Sequence, residues 1–392
     1  MTTTGVDASA VLADWITAGV LSRADAHVAA ALARLAELPA DADAASVVLA
    51  AALAVRAPRQ GHVCFDLSGD RASIAAEIDR PDTGAPFDPE SLPWPDSAAW
   101  RDALVRSPLV QVVGDPIPAV PRPLVLDGSL LYLERYHLYE GQVAASILTR
   151  ASTPALPVPV APERCDELLA AFALSDEQTA AALNGATRRL SVIVGGPGTG
   201  KTHTVAALLA LLLDPSTDDT VPLRVAAVAP TGKAAARMGQ ALRDLADRVA
   251  TMSLSGAEVL ASRLRDTETR TIHRLLGWLP GRSGFRHDHL TPVPYDVVIV
   301  DETSMVSLPL MARLLDAIPT TSRIVLVGDH GQLASVEAGS VLGDIAAPVV
   351  QAIDAGAAAP TGALAECISV LTQSHRFPSQ SRIGRFAAAV RI

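Results

Sequence analysis

The spacing of hydrophobic residues changes character along the chain. Over residues 10–56, Ala, Leu and Val recur at helical spacing between scattered charges, which predicts helices. Residues 61–67 alternate apolar and polar side chains as a strand does, and residues 124–139 begin as a strand and hairpin before continuing as a helix. We therefore expect a mainly helical N-terminal region that also contains a few strands.

Further along, short apolar runs alternate with helical stretches. The predicted strands are residues 190–194, 224–229, 296–300 and 323–327, and the predicted helices between them are residues 202–213 and 233–250. Apolar runs of four to six residues that alternate with helices are typical of a parallel sheet covered by helices, an α/β fold. Such folds bind ligands at the carboxyl ends of the strands, and every motif described below follows a predicted strand.

A proline-rich stretch separates these two parts of the chain. Residues 151–163 read ASTPALPVPVAPE, and their prolines prevent a continuous helix or sheet. A chain of 392 residues is also too long for a typical single domain. We therefore predict an N-terminal domain over residues 1–150, a linker over residues 151–163 and an α/β domain over residues 164–392.

Composition and charge exclude several classes of protein. Hydrophobic residues make up 49% of the chain, enough for sizeable cores, which excludes a mainly disordered protein. No apolar run exceeds nine residues, the length of residues 205–213, which is half of a membrane span, and the N-terminus does not resemble a secretory signal. The three cysteines lie far apart, without metal-binding or disulfide-framework spacing. We expect a chain that works in the reducing cytoplasm, without a membrane partner.

The charge distribution narrows the possible partners. The net charge is −10, of which −8 falls in residues 1–150. This excludes binding through a broad basic surface, so any nucleic acid must bind in a local groove, while the acidic first third faces solvent or a basic protein. The chain has only two lysines, Lys201 and Lys233, and both lie inside motifs.

The first motif predicts a phosphate-binding loop. Residues 195–202 read GGPGTGKT and match G-x-x-x-x-G-K-[ST], between a predicted strand and a predicted helix. Backbone N–H groups and the helix N-terminus would bind phosphate, Lys201 would reach the β- and γ-phosphates, and Thr202 would hold Mg²⁺. The predicted nucleotide-binding residues of the loop are Gly195, Gly196, Pro197, Gly198, Thr199, Gly200, Lys201 and Thr202.

The second motif places two acids at a strand end. Residues 296–304 read DVVIVDETS, so that Asp301 and Glu302 follow four apolar residues. We predict that Asp301 joins Thr202 in holding Mg²⁺ through water, and that Glu302 polarises the attacking water as a general base. The alternative is a pair of solvated acids, which the phosphate loop earlier in the chain disfavours. Lys201 and Glu302 are thus the predicted catalytic residues.

Two glutamines are candidate nucleotide sensors. Gln332 (VGDHGQ) could contact a γ-phosphate oxygen and transmit its loss to a neighbouring loop, or it could be an ordinary loop residue. Gln178 lies 17 residues before the phosphate loop, and its amide could pair with adenine N6 and N7. Ser175 and Gln178 also form a capping-box pattern, so a purely structural role remains open.

Two further motifs are candidate contacts to single-stranded DNA. In APTGKAAARM, Thr231 and Lys233 suit a phosphate, although Thr231 could simply cap a helix and Lys233 could be solvated. In TIHRLLGW, Thr271 could bind a phosphate and His273 could bind or stack on a base. A lone histidine on a helix is more often structural.

Taken together, these motifs resemble the superfamily 1 DNA helicases of the 5′-to-3′ class, and in particular the RecD family, the alpha subunits of exodeoxyribonuclease V (RecBCD). The N-terminal stretches GHVCFDL and LYLERY are also similar to that family. The other matching stretches, in the expected order, are GGPGTGKT (195–202), APTGKAAARM (229–238), TIHRLLGW (271–278), VDETSM (300–305), GDHGQLASVEAG (328–339) and LTQSHRF (371–377).

The resemblance implies a fold and a function. The fold would be a RecA-like P-loop NTPase domain with a parallel sheet, preceded by a smaller, mainly helical domain that docks on RecB-like and RecC-like subunits. The function would be ATP- and Mg²⁺-dependent unwinding from a single-stranded DNA end in double-strand break repair. By resemblance, Arg376 contacts the γ-phosphate, Gln178 reads adenine, and Gln332 senses the γ-phosphate. Thr231, Lys233, Thr271 and His273 match positions near single-stranded DNA.

The family pattern continues beyond the end of this sequence with a second RecA-like domain, whereas the chain stops sixteen residues after Arg376. We therefore expect a truncated chain that binds ATP and Mg²⁺ but unwinds DNA poorly or not at all alone. The alternative is a non-enzymatic assembly subunit with an idle motor remnant. An unrelated phosphate-loop kinase would need an arginine-bearing lid and an acceptor site, and the sequence suggests neither.

Overall fold

A computed structural model of the chain describes residues 5–69, 71, 74, 89–216, 223–279, 281, 284–332, 338–358 and 360–373. The chain divides into two compact units. The first unit contains the chain up to Gly141 and a short later segment that includes residues 338–339, and the second unit contains the remainder. The sequence predicts a first domain that extends to residue 150. The observed boundary falls inside a continuous helix, Glu134–Ala151, and helical periodicity in a sequence cannot reveal such a boundary.

Helices dominate the first unit, as the sequence predicts. They are α1 (Ala8–Thr17), α2 (Arg23–Leu35), α3 (Ala42–Arg56) and α4 (Ser97–Arg106). Asp7, Ser22, Asp41 and Asp96 cap their N-termini through side-chain oxygens. Helix α3 is apolar on all sides and is buried between the other helices, as such a helix must be.

A small sheet completes the first unit. Its strands are β1 (Cys64–Asp66), β2 (Val110–Val112), β3 (Leu124–Asp127) and β4 (Leu130–Leu133), in the order β1-β4-β3-β2. The β3–β4 pair is the predicted hairpin, and helix α5 (Glu134–Ala151) follows it directly, as predicted.

A six-stranded parallel sheet organises the second unit, which confirms the predicted α/β fold class. Its order is β10-β5-β9-β8-β6-β7. The four predicted strands are observed within a residue of their expected bounds. The strands are β5 (Leu190–Gly195), β6 (Val225–Ala229), β7 (Glu268–Thr271), β8 (Val297–Val300), β9 (Arg323–Gly328) and β10 (Ile368–Leu371).

Helices cover this sheet, and the most buried is the one after the phosphate loop. All nine residues of the apolar run 205–213 lie in the core because this helix, α8 (Lys201–Leu213), is covered along its length. Among the residues that the structure describes, no helix has both the length and the apolar character needed to cross a membrane. The helices are α6 (Pro162–Phe172), α7 (Asp176–Thr187), α8 (Lys201–Leu213), α9 (Gly232–Ala250), α10 (Ala257–Arg265), α11 (Ile272–Leu276), α12 (Leu308–Ala317) and α13 (Val341–Asp354).

The proline-rich segment packs on the second unit. The Leu156 N–H donates a hydrogen bond of 2.6 Å to the carbonyl of Thr187, and Val160 is buried in the core of that unit. Just before this segment, Arg150 is 1% exposed and donates to the carbonyls of Ile318 and Pro319. Burial lowers the pKa of its guanidinium to about 10. These contacts hold the end of α5 and the following segment against the second unit.

A buried ion pair lies at the C-terminal end of α8. Arg164 on α6 donates two hydrogen bonds, of 2.7 and 3.0 Å, to one carboxylate oxygen of Asp214, whose side chain is fully buried. Arg164 also bonds the carbonyl of Ser255 at 2.6 Å. Burial alone would raise the pKa of Asp214, but the hydrogen bonds from Arg164 and Ser216 outweigh burial and hold that pKa below its ordinary value. The pair therefore ties α6 to the end of the phosphate-loop helix.

We predict that Asp214→Asn lowers the melting temperature of the second unit, because removing one member of a buried pair costs about 3 kcal/mol. The folded-state pKa of Asp214 lies below its unfolded value. The stabilisation is therefore complete above about pH 4 and is lost as the pH falls through the folded-state pKa. Calorimetry from pH 7 to below pH 4 should show a constant gap between wild type and variant down to about pH 4, and a gap that narrows below it.

The matched control is Asp354→Asn, which changes an exposed carboxylate at the end of α13 and should leave the melting temperature unchanged. An equal effect of both substitutions, or a gap that widens toward acid, would contradict the role assigned to the Arg164–Asp214 pair.

Candidate nucleotide and DNA site

The phosphate loop joins β5 to α8 by a tight turn. Gly198 and Gly200 have φ values of +82° and +86°, a left-handed conformation that favours glycine. A Cβ atom on Gly195 would lie 2.7 Å from the carbonyl oxygen of Leu371 on the neighbouring strand β10. Gly195, Gly198 and Gly200 are therefore required by the backbone, and the loop ends at the N-terminus of α8, where anions bind favourably.

Lys201 lies over the loop that precedes it. Its Nζ donates to the carbonyl oxygens of Gly195 and Gly196, at 2.6 and 3.0 Å. The Thr199 hydroxyl donates to the Gly196 carbonyl at 2.9 Å and is buried. The ammonium is thus held at the mouth of the loop, where an incoming phosphate would exchange with these carbonyls as its partner.

The Gln178 side chain links a helix cap to the phosphate loop by hydrogen bonds. Its amide oxygen accepts the Ser175 N–H at 3.1 Å, the Ser175 hydroxyl accepts the Gln178 N–H at 3.3 Å, and the capping box is complete. Its amide nitrogen donates to the Thr199 carbonyl at 3.1 Å, and the residue is 3% exposed. In this geometry the protein itself uses both ends of the amide. Adenine reading by Gln178 stays a prediction.

The two acids follow β8, in the middle of the sheet. Asp301 donates its N–H to the Val228 carbonyl at 2.8 Å, so its backbone continues the ladder with β6. Burial raises the pKa of its carboxyl above the ordinary value, against the opposing charges of Lys201 and Arg237. Glu302 has φ +50°, a strained conformation for a non-glycine residue, and such strain concentrates at functional sites.

The residues predicted to hold magnesium border the same cavity. Thr202 and Asp301 both line a cavity of about 400 Å³ between α8 and α9. A hydroxyl and a carboxylate are the oxygen ligands that Mg²⁺ prefers, with water completing its shell, so the residues fit the ion.

One residue of this site was missed by the sequence reasoning. Arg237 on α9 lies 3.7 Å from Glu302, measured between Nη1 and Oε1, and its side chain is 77% exposed. Its spacing from Lys233 in the sequence could have indicated its position. Arg237 follows Lys233 by four residues on a predicted helix, so both face the same side.

Gln332 follows β9, the strand that pairs with β8. Its amide donates to the Asp329 carboxylate at 3.2 Å, and Asp329 is only 4% exposed. Gly328 packs against the turn formed by Thr303–Met305, since a Cβ on Gly328 would lie 3.2 Å from the Ser304 nitrogen. The γ-phosphate contact of Gln332 stays a prediction, and Arg376 lies outside the described residues.

The four candidate DNA residues lie on neighbouring strand ends. Ala229 of β6 pairs with Thr271 of β7, so Thr231 follows β6 close to Thr271. Both threonines are helix caps: Thr231 Oγ1 accepts the Ala234 N–H, and Thr271 Oγ1 accepts the Arg274 N–H, each at 3.2 Å. A hydroxyl that accepts a bond can still donate one, so capping and phosphate binding are compatible. Lys233 and His273 are exposed on the first turns of these helices.

Two family models match the chain. Residues 17–132 match the N-terminal domain of the RecBCD enzyme subunit RecD, and residues 178–338 match an AAA domain. The first match covers most of the first unit. The second begins at Gln178 and includes the phosphate loop, the acidic motif and Gln332.

Curated relatives match nearly the whole chain. The RecBCD enzyme subunit RecD of Mycolicibacterium smegmatis is 43% identical over 376 residues, 95% of this chain and 58% of that protein. Its counterpart in Mycobacterium tuberculosis (strain CDC 1551) is 41% identical over 394 aligned residues, 98% of this chain and 59% of that protein. The ATP-dependent RecD2 DNA helicase of Deinococcus radiodurans is 42% identical over 166 residues, 42% of this chain and 19% of that protein.

The chain therefore spans about three fifths of the length of the RecD relatives that it matches. The matched N-terminal and AAA domains lie in the same order as the two units of the structure. On these grounds the chain belongs to the RecD family.

Proposed function

We propose that this chain provides an ATP-hydrolysing motor domain of a RecD-type DNA helicase subunit, which moves 5′-to-3′ on the single-stranded end of a duplex within a RecBCD-type complex. The observation that carries the proposal is the convergence of the motifs at one edge of the parallel sheet. There the phosphate loop follows β5, the two acids follow β8, and the candidate DNA residues lie at the ends of the adjacent strands β6 and β7. The names of the matched relatives support the same function.

The proposed chemistry divides among a few side chains. Lys201 and the loop N–H groups would bind the β- and γ-phosphates, while Thr202 and Asp301 would hold Mg²⁺. The ion, when bound, supplies charge neutralisation on the transferred phosphoryl group. Glu302 would accept a proton from the attacking water, with Arg237 beside it as an orienting partner. Gln332 and Arg376 are proposed as γ-phosphate contacts.

The first unit is proposed to dock on RecB-like and RecC-like subunits. Its match to the RecD N-terminal domain supports this role. Two apolar side chains of the loop that follows β2, Ile117 and Val120, are 93% and 76% exposed. Exposed apolar groups of this kind suit a protein contact. Co-purification with the two partner subunits, lost when Ile117 and Val120 are both changed to Ser, would support this assignment.

We predict that substituting the two proposed catalytic residues affects nucleotide binding and hydrolysis differently. Lys201→Ala should weaken binding of a fluorescent ATP analogue and abolish hydrolysis, because the phosphates lose their cation. Glu302→Gln should keep nucleotide binding but slow hydrolysis by about 100-fold or more, the usual contribution of a general base. The measurements are equilibrium binding and steady-state ATPase of the 392-residue chain, with and without single-stranded DNA.

DNA-stimulated hydrolysis that both substitutions remove is the expected result. If the wild type binds nucleotide through Lys201 but turns none over, with or without DNA, the idle assembly subunit becomes the better description. If Lys201→Ala leaves both binding and turnover unchanged, the proposed site is wrong.

We predict that Gln178→Ala weakens ATP and GTP binding by similar factors, because the amide nitrogen supports the Thr199 carbonyl of the phosphate loop. Loss of this buried hydrogen bond should cost about 1–3 kcal/mol. Competition binding with both nucleotides measures the two factors. A selective loss of ATP binding would instead show that Gln178 reads adenine. Gln351→Ala, an exposed glutamine on α13, is the control.

Lys233 should contribute to DNA binding through charge. Lys233→Ala is predicted to weaken oligonucleotide binding at all sequences and to reduce the slope of log K against log salt by about 0.7, the value for one single-strand phosphate contact. Anisotropy titrations at several salt concentrations give the slope. An unchanged slope would remove Lys233 from the DNA interface.

A further inference from the structure

An exposed aromatic group lies just beyond the DNA candidates on α11. Trp278 is 51% exposed and is the only tryptophan among residues 142–392. Its ring contacts Phe285 edge-on, with centroids 5.4 Å apart, and the His273 ring is 6.2 Å from Trp278 and 5.8 Å from Phe285. The indole is therefore supported on its edge by two rings and keeps about half of its surface in solvent.

The backbone holds this tryptophan in a fixed position. Helix α11 ends at Gly277, with φ +70°, and the Trp278 N–H donates to the His273 carbonyl at 3.0 Å. The Arg286 N–H in turn donates to the Gly277 carbonyl at 3.0 Å, and a Cβ on Gly277 would lie 2.9 Å from the Cβ of Arg286. A ring ordered in advance loses little entropy when a ligand stacks on it, which favours binding.

The surroundings of Trp278 suit a nucleic acid strand. Thr271 caps the N-terminus of the same five-residue helix, and Trp278 follows its C-cap directly. The exposed side chains of Lys233, Arg274 and His273 on the adjacent helix starts include two cations that suit phosphates. An apolar indole beside cations matches the two faces of single-stranded DNA, its bases and its backbone.

We propose that Trp278 stacks on a base of the single-stranded DNA whose phosphates contact Thr271 and Lys233. The inference rests on the proposed function and extends it to a residue that reads no sequence, because every base has a face on which indole can stack. His273 would then act as a positioning residue that supports the indole edge, rather than as the principal stacking residue.

Binding of a labelled oligo(dT) to the 392-residue chain tests this assignment. Trp278→Leu should weaken binding by about tenfold, the effect of losing one stacked base, and Trp278→Phe should largely restore it. Ile353→Ala, a similarly exposed apolar residue on α13, should have no effect. Unchanged binding of a fluorescent ATP analogue by Trp278→Leu would show that the variant is folded.

An abasic oligonucleotide separates stacking from phosphate binding. Wild type should bind it about tenfold more weakly than oligo(dT), whereas Trp278→Leu should bind both alike. Because wild type alone gives the first comparison, this arm does not depend on the folding of any variant. Intrinsic fluorescence gives a second readout. The other three tryptophans lie in the first unit, where Trp15 and Trp100 are almost fully buried and the half-buried Trp94 packs against both. Quenching by oligo(dT) should therefore disappear in Trp278→Phe.

The possible outcomes distinguish this inference from the function on which it rests. The stacking role is overturned if wild type binds the abasic strand as tightly as oligo(dT) and Trp278→Leu binds oligo(dT) as tightly as wild type. The helicase proposal stands in that case. The exposed indole would then be a protein contact. If wild type binds no single-stranded DNA with or without nucleotide, both proposals fail.

Discussion

The parallel arrangement of the six strands in the second unit is the constraint on which the candidate site depends. Because all six run in one direction, every strand delivers its following loop to the same edge of the sheet. The phosphate loop follows β5, the acids follow β8, Gln332 follows β9, and the candidate DNA residues lie at the ends of β6 and β7. Reversing any one of these strands would carry its motif to the opposite edge, out of reach of the others.

Helix α7 links two of these strand ends. Gln178 holds the Thr199 carbonyl of the phosphate loop, while its neighbour Glu177 accepts the N–H of Thr372, just after β10, at 2.8 Å. Gly195 meets the carbonyl of Leu371 on the same strand. A change in the loop on nucleotide binding would therefore reach the end of β10 through direct contacts. The chain continues from there toward Arg376.

At the ends of β6 and β7, the hydroxyl groups that cap helices are also those proposed to bind DNA phosphates. Thr231 and Thr271 each accept a backbone N–H at a helix start, which leaves the hydroxyl hydrogen free to donate. The structural and functional interpretations of these threonines are thus compatible. The Gln178 amide has a partner at each end and is buried, and nucleotide selectivity separates its two roles.

The buried strands β5, β6, β8 and β9 and the motif residues could be derived from the amino-acid order alone, because apolar runs and motif spacing are local properties. Strand β7 (ETRT) could not, since an edge strand that is only partly covered needs no apolar run. The partner of the Gln178 amide, the pairing of Arg237 with Glu302 and the exposure of Trp278 also depended on folding. The two contacts join segments that are distant in the sequence, and Trp278 is exposed because no other segment covers it. The spacing of residues within one segment does not encode which surfaces meet.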